Sequence, residues 1–196
     1  WCDLHGVLRG KTLMVDAVPG ALADGISLVS TTMLKDTSDR TAFRVFDGSL
    51  PAQMPGFGFA NNLVLLPDPA SFRVLPWAPH TAWLQAQPWF DDATPVPIDT
   101  RRVLQAALQR LADKGLAMCC GLEVEFHIYR IDDPRLDPQQ SAWPGEPPSV
   151  SMIHPGYNLL AEGWADLADD AFAIVQRTAQ GLGLPLRSLE IELGPS

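Results

Sequence analysis

Apolar and polar positions alternate in short runs over the first ninety or so residues, then settle into longer periods. Residues 1–4 are strand-like, His5-Gly6 marks a turn, and 7–15 continue in β-branched and apolar residues. A short helical turn is predicted over 18–23, closed by Gly25. Residues 26–34 and 41–46 read as strands around the polar turn 35–40. Two compact apolar runs follow, 63–66 stopped by Pro67-Asp68-Pro69 and 72–75 stopped by Pro76. Short strands punctuated in this way predict a small mixed or antiparallel sheet carrying one helix.

Residues 78–99 carry Pro79, Pro88, Pro95 and Pro97, which places a boundary there: residues 1–90 as one domain, 91–98 as a linker and 99–196 as the start of a second. The next segment has a helical period. Asp99 or Thr100 caps it, Gly115 ends it, and Val103, Leu104, Ala107, Leu108, Leu111 and Ala112 form one apolar stripe. A strand is predicted over 122–129. The proline-rich stretch 131–163 reads as a long functional or disordered loop. A second helix is predicted over about 165–180, with Asp166, Asp169 and Asp170 near its positive end and Arg177 near its negative end. Gly181 and Gly183 stop it, and 189–193 reads as a final strand.

Composition narrows the class. The chain has 196 residues, 46% hydrophobic and 19% charged, enough for a folded protein with a sizeable core. Its net charge of -9 argues against a nucleic-acid or anionic-membrane partner. Cys2, Cys119 and Cys120 are too few and too awkwardly spaced for a disulfide framework or a zinc site, so reduced thiols in a cytoplasmic protein are expected. No apolar run approaches the roughly 20 residues that cross a bilayer. No signal peptide is visible; the chain opens at Trp1 without a methionine and stops just after a strand-like run, so both ends read as cut.

The candidate chemistry lies in two Glu-x-Glu pairs. Over 122–129, Leu122, Val124, Phe126 and Ile128 fall on one strand face, expected to pack on a helix layer, and Glu123, Glu125, His127 and Tyr129 on the other. Positions i and i+2 lie about 6.6 Å apart along a strand, so both carboxylates reach one small volume. Like charges at that spacing are relieved by solvent or by a cation. Leu189, Ile191 and Leu193 alternate with Glu190 and Glu192 in the same manner. Paired in one sheet, the two strands would gather up to four carboxylates, an all-oxygen set suited to Mg²⁺ or Mn²⁺. Alternation alone is equally the pattern of a wet strand face, which is the commoner case, and His127 and Glu190 read best as solvated or simply hydrogen-bonded.

Longer residue strings add what spacing cannot. Pro67-Asp68-Pro69 followed by Phe72-Arg73-Val74-Leu75-Pro76-Trp77 resembles a signature of glutamine synthetases. Gly121-Leu122-Glu123-Val124-Glu125-Phe126 resembles that family's Gly-x-Glu-x-Glu-Phe strand, and Glu192-Leu193-Gly194-Pro195 the start of its Glu-x-Gly-Pro-Gly-Gln-x-Glu stretch. Asp3, Gly6 and Arg9-Gly10-Lys11 fit its first hairpin. The strings occur in family order across nearly the whole chain.

The resemblance implies an α+β architecture: an N-terminal β-grasp domain and the first part of the glutamine-synthetase-like catalytic domain. It implies ATP-dependent joining of ammonia or a small amine to the side-chain carboxylate of glutamate through γ-glutamyl phosphate, with Mg²⁺ or Mn²⁺. Glu123 resembles the ligand of the nucleotide-side metal; Glu125 and Glu192 resemble ligands of the glutamate-side metal. Asp47, in Phe46-Asp47-Gly48-Ser49, resembles the aspartate that reaches a neighbouring subunit's site, although a plain turn aspartate fits as well. Full-length relatives of this kind form homo-oligomers of stacked rings. The Phe-Arg-Val-Leu-Pro-Trp-Ala-Pro string is closest in style to the γ-glutamyl-amine and polyamine-ligase branch. Ser196 stands where a glycine is usual and Asn62 where an aspartate is common. The family's remaining site residues fall beyond Ser196, so these 196 residues alone are expected to be inactive. The competing expectation is a non-catalytic relative or a truncated assembly module.

Overall fold

The computed structural model describes residues 1–44, 54, 56–57, 61–133, 137–141, 145–153 and 159–192. Two compact units emerge: Trp1–Phe72 with Trp83–Cys120, and Arg73–Ala82 with Gly121–Ser196.

The first unit begins with a tight turn in place of the strands expected over 1–4 and 7–15. An isolated bridge, Cys2 to Leu8, joins its two arms, with the Asp3 and Arg9 N–H groups donating to the Val7 and Trp1 carbonyls at 3.0 and 2.9 Å. Side-chain chemistry reinforces these backbone bonds. One oxygen of the buried Asp3 carboxylate accepts the His5 and Val7 N–H groups, each at 2.9 Å, and the other accepts from Arg9 Nε at 2.9 Å. Arg9 also grips Asp39. Burial acts to raise the Asp3 pKa, but the Arg9 hydrogen bond, the two N–H groups and the Arg9 charge outweigh it and hold the carboxyl below its ordinary value. Arg9 thereby ties this turn to the polar turn predicted over 35–40. There Asp36 accepts the N–H groups of Ser38 and Arg40 at 2.8 and 3.0 Å, and Asp39 takes a left-handed φ of 59°.

Helix α1 (Val18–Asp24) ends at Gly25, as the sequence predicts. Gly25 is required there: its φ is 78°, and a Cβ would stand 2.5 Å from Val64 Cγ1 and 3.0 Å from the Leu65 carbonyl oxygen. Strand β1 (Ile26–Val29) is shorter than the 26–34 predicted, because the chain coils into a 3₁₀ turn, Ser30–Met33, that drops Met33 into the core. β1 pairs antiparallel with β2 (Asn62–Leu75), Ile26 opposite Leu65 and Val29 opposite Asn62. Strand β3 (Ala78–Phe90) completes a sheet of order β1-β2-β3.

β2 corrects the sequence reading, which breaks it into 63–66 and 72–75 at the prolines. The strand runs through Pro67 and Pro69 because β1 covers β2 only as far as Leu65. Residues two apart point their N–H positions to the same edge, so both prolines can spend their missing donors on the edge that β1 leaves uncovered. Asp68 and Ser71 repair the backbone between them. Asp68 Oδ1 accepts the Ala70 N–H at 3.1 Å, and the Ser71 hydroxyl donates to the Asp68 carbonyl at 2.6 Å while accepting the Gln85 N–H of β3 at 2.7 Å.

Helix α2 (Thr100–Ala112) forms where predicted. The buried Asp99 is its N-cap, accepting the Arg102 N–H at 3.3 Å. Gly115, at φ 71°, closes it, and Leu116 N–H reaches back to the Leu111 carbonyl at 3.0 Å. Arg101 leaves the first turn to bridge Asp68 at 3.3 Å and the Gln85 side chain, which fastens the Pro-Asp-Pro segment to the helix. Arg102 stacks over Trp89, 4.3 Å from the ring centre. The core of this unit comprises Trp1, Met33, Leu34, Phe57, Leu63, Leu65, Phe90 and Val96, with Phe57 edge-on to Phe90 at 5.2 Å between ring centres. The predicted apolar stripe of α2 is not part of it: Val103, Leu104 and Leu108 are exposed.

In the second unit, β4 (Tyr129–Ile131) and β5 (Val150–Met152) pair antiparallel, Tyr129 opposite Met152, and pin the two ends of most of the proline-rich stretch. Within it, Asp137 caps a 3₁₀ turn, Pro138–Gln140, through a reciprocal capping box. The helix predicted over 165–180 is two helices, α3 (Glu162–Leu167) and α4 (Asp169–Gly181). Ala168 leaves helical geometry between them, and Asp169 and Asp170 then occupy the first turn of α4, where carboxylates favour a helix start. Gly181 packs on Pro76, where a Cβ would approach Pro76 Cγ to 2.5 Å. No helix among the described residues is long and apolar enough to cross a membrane.

Candidate functional site

The strand predicted over 122–129 is largely absent. Only Tyr129 enters a ladder, and residues 121–128 have no regular secondary structure. The cause is pairing. A strand needs a neighbour for its N–H and C=O groups, and among the described residues β5 offers one only to Tyr129–Ile131. The face predicted to pack on a helix layer is uncovered: Leu122 is 90% exposed, Val124 65% and Phe126 57%. Glu123 and Glu125 are exposed as well.

The alternation survives in one contact. His127 Nδ1 lies 3.1 Å from Tyr129 Oη, with the rings 6.0 Å apart, so these two side chains do share a side of the extended chain. This is the hydrogen-bonded role that sequence assigns to His127.

The strand predicted over 189–193 is likewise not formed at 189–192, which have no regular structure. One bond anchors the run: the Leu160 N–H donates to the Ile191 carbonyl at 2.9 Å. Glu192 is exposed. Glu190, read from sequence as solvated, is exposed too, although it borders a small open cleft with Leu160, Glu162, Phe172 and Ile191.

The donor chemistry of Glu123, Glu125 and Glu192 suits a hard divalent cation, but the described residues bring no three metal-ligating side chains together. The described residues therefore give no complete metal site. Asp47 lies outside the described residues.

Sequence reasoning missed the two best-defined polar clusters. Asp3, Arg9 and Asp39 form one; Asp68, Ser71, Gln85 and Arg101 form the other. The available signal was an aspartate held between two prolines, which leaves its side chain few roles besides local backbone repair and pairing with a nearby cation.

No protein-family model matches the chain. Among characterised proteins, it is 33% identical over 202 residues to the gamma-glutamylanilide synthase of an Acinetobacter species, covering all of this chain and 40% of that protein. It is 28% identical over 201 residues to a gamma-glutamylethanolamide synthetase of Streptomyces coelicolor, covering 98% and 39%. A glutamine synthetase of Methanosarcina mazei is 27% identical over 157 residues, covering 78% and 32%. The chain thus spans about 40% of the first two of these relatives.

Solved structures agree on the fold. A glutamine synthase homologue aligns with a TM-score of 0.62 at 18% identity, over 97% of this chain and 39% of that one. Apo GmaS aligns with a TM-score of 0.61 at 19% identity, over 98% and 38%. The mixed helix-and-sheet architecture is thereby that of glutamine-synthetase-like structures. On the similarity that runs along its whole length, the chain belongs to the glutamine synthetase family, of whose members it represents a part.

Proposed function

We propose that the chain is the N-terminal part of an ATP-dependent ligase that joins an amine or ammonia to the γ-carboxylate of glutamate. The observation that carries this reading is the 33% identity, along the entire chain, to a gamma-glutamylanilide synthase. A second γ-glutamyl-amide synthetase among the relatives supports an organic amine over ammonia as acceptor. In this reading residues 1–90 correspond to a β-grasp domain, 91–98 to a linker and 99–196 to the opening of the catalytic domain.

The reaction class needs glutamate activated as γ-glutamyl phosphate before the amine displaces phosphate. Most of that task is positioning and charge neutralisation. Bound Mg²⁺ or Mn²⁺ would supply the neutralisation of phosphate charge. On the chain's side, Glu123 would serve the nucleotide-side ion and Glu125 and Glu192 the glutamate-side ion, completed by residues of the full-length protein. That completion also accounts for the bare carboxylates and uncovered apolar positions at 122–126, which would acquire strand partners there. The 196 residues alone would then be inactive, and the full-length protein would be a cytoplasmic homo-oligomer of stacked rings.

The test is phosphate release from ATP by the full-length protein with glutamate and a panel of amines, ammonia included, in Mg²⁺ or Mn²⁺. Turnover with at least one acceptor is expected. No turnover with any acceptor, from folded protein, would defeat the reading.

A further inference from the structure

We draw no further inference here: the strongest candidate, the apolar surface patch of Val103, Leu104 and Leu108 along α2, carries nothing because the structure does not show what covers it.

Discussion

Replacing Asp3 with asparagine isolates a buried charge without changing the shape of the turn around it. The amide keeps one oxygen to accept the His5 and Val7 N–H groups, which now donate to Asp3 at 2.9 Å. What is lost is the charged contact with Arg9, now 2.8 Å from Nη2 and 2.9 Å from Nε. Removing one member of a buried pair costs about 3–5 kcal/mol when the other is left stranded. Arg9 is not stranded, since its side chain is 21% exposed and still meets Asp39. The loss should therefore be nearer that of a single charge-assisted hydrogen bond, about 2 kcal/mol. For a chain of this size that is a fall in Tm of about 4–8 °C at pH 7. The pH dependence is the sharper check. Because the Asp3 pKa is lowered in the folded state, its contribution is complete above the unfolded value of about 4 and is lost as pH falls through the folded value. Thermal unfolding followed by circular dichroism should show the gap between wild type and Asp3→Asn open at pH 7 and closing in acid. Equal Tm values at neutral pH, or a gap that widens on acidification, would refute the reasoning.

Other expectations follow from the same geometry. Gly25→Ala should destabilise by about 2–4 kcal/mol, combining a left-handed φ with a Cβ driven into Val64 and the Leu65 carbonyl; urea unfolding should show a lower midpoint at unchanged slope. Phe57→Ala, which removes a fully buried ring, should cost about 3–5 kcal/mol by the same measurement. Asp99→Ala should cost about 0.5–2 kcal/mol through the lost cap of α2, whereas Asp68→Asn, in a half-exposed ion pair, should cost under about 1 kcal/mol; a reversed order would contradict the burial of Asp99. In the full-length protein, Glu125→Gln should lower kcat at least about 100-fold and Glu190→Gln should change it less than about twofold. Equal loss in both variants would remove the distinction drawn between the two glutamates.

The parts of the fold that sequence reveals are those with local causes. The end of α1 at Gly25 and both ends of α2, at Asp99 and Gly115, follow from caps and backbone conformations that neighbouring residues decide. Strand behaviour follows from partners instead. Pro67 and Pro69 look like stops until the edge that β1 leaves uncovered is known, and residues 122–128 look like a strand whose neighbour is not among the described residues. Arg9 reaches Asp39 across thirty residues of sequence, with no periodic signal to announce the contact. For the candidate site, the residue strings give membership of a family and nominate Glu123, Glu125 and Glu192. They give no geometry, because the ladders expected to bring those carboxylates together are not formed among the described residues.

The sheet's connectivity also bears on the order in which the chain assembles. β2 and β3 meet across the two-residue turn Pro76-Trp77, so their closure entropy is small and the hairpin can zip without waiting for distant residues. β1 must instead find Leu65 from Ile26, across a far longer loop. The hairpin is then the natural nucleus, and the docking of α1 and β1 a late event. Substitutions near the Pro76-Trp77 turn should chiefly slow refolding, whereas those at Gly25 should chiefly speed unfolding.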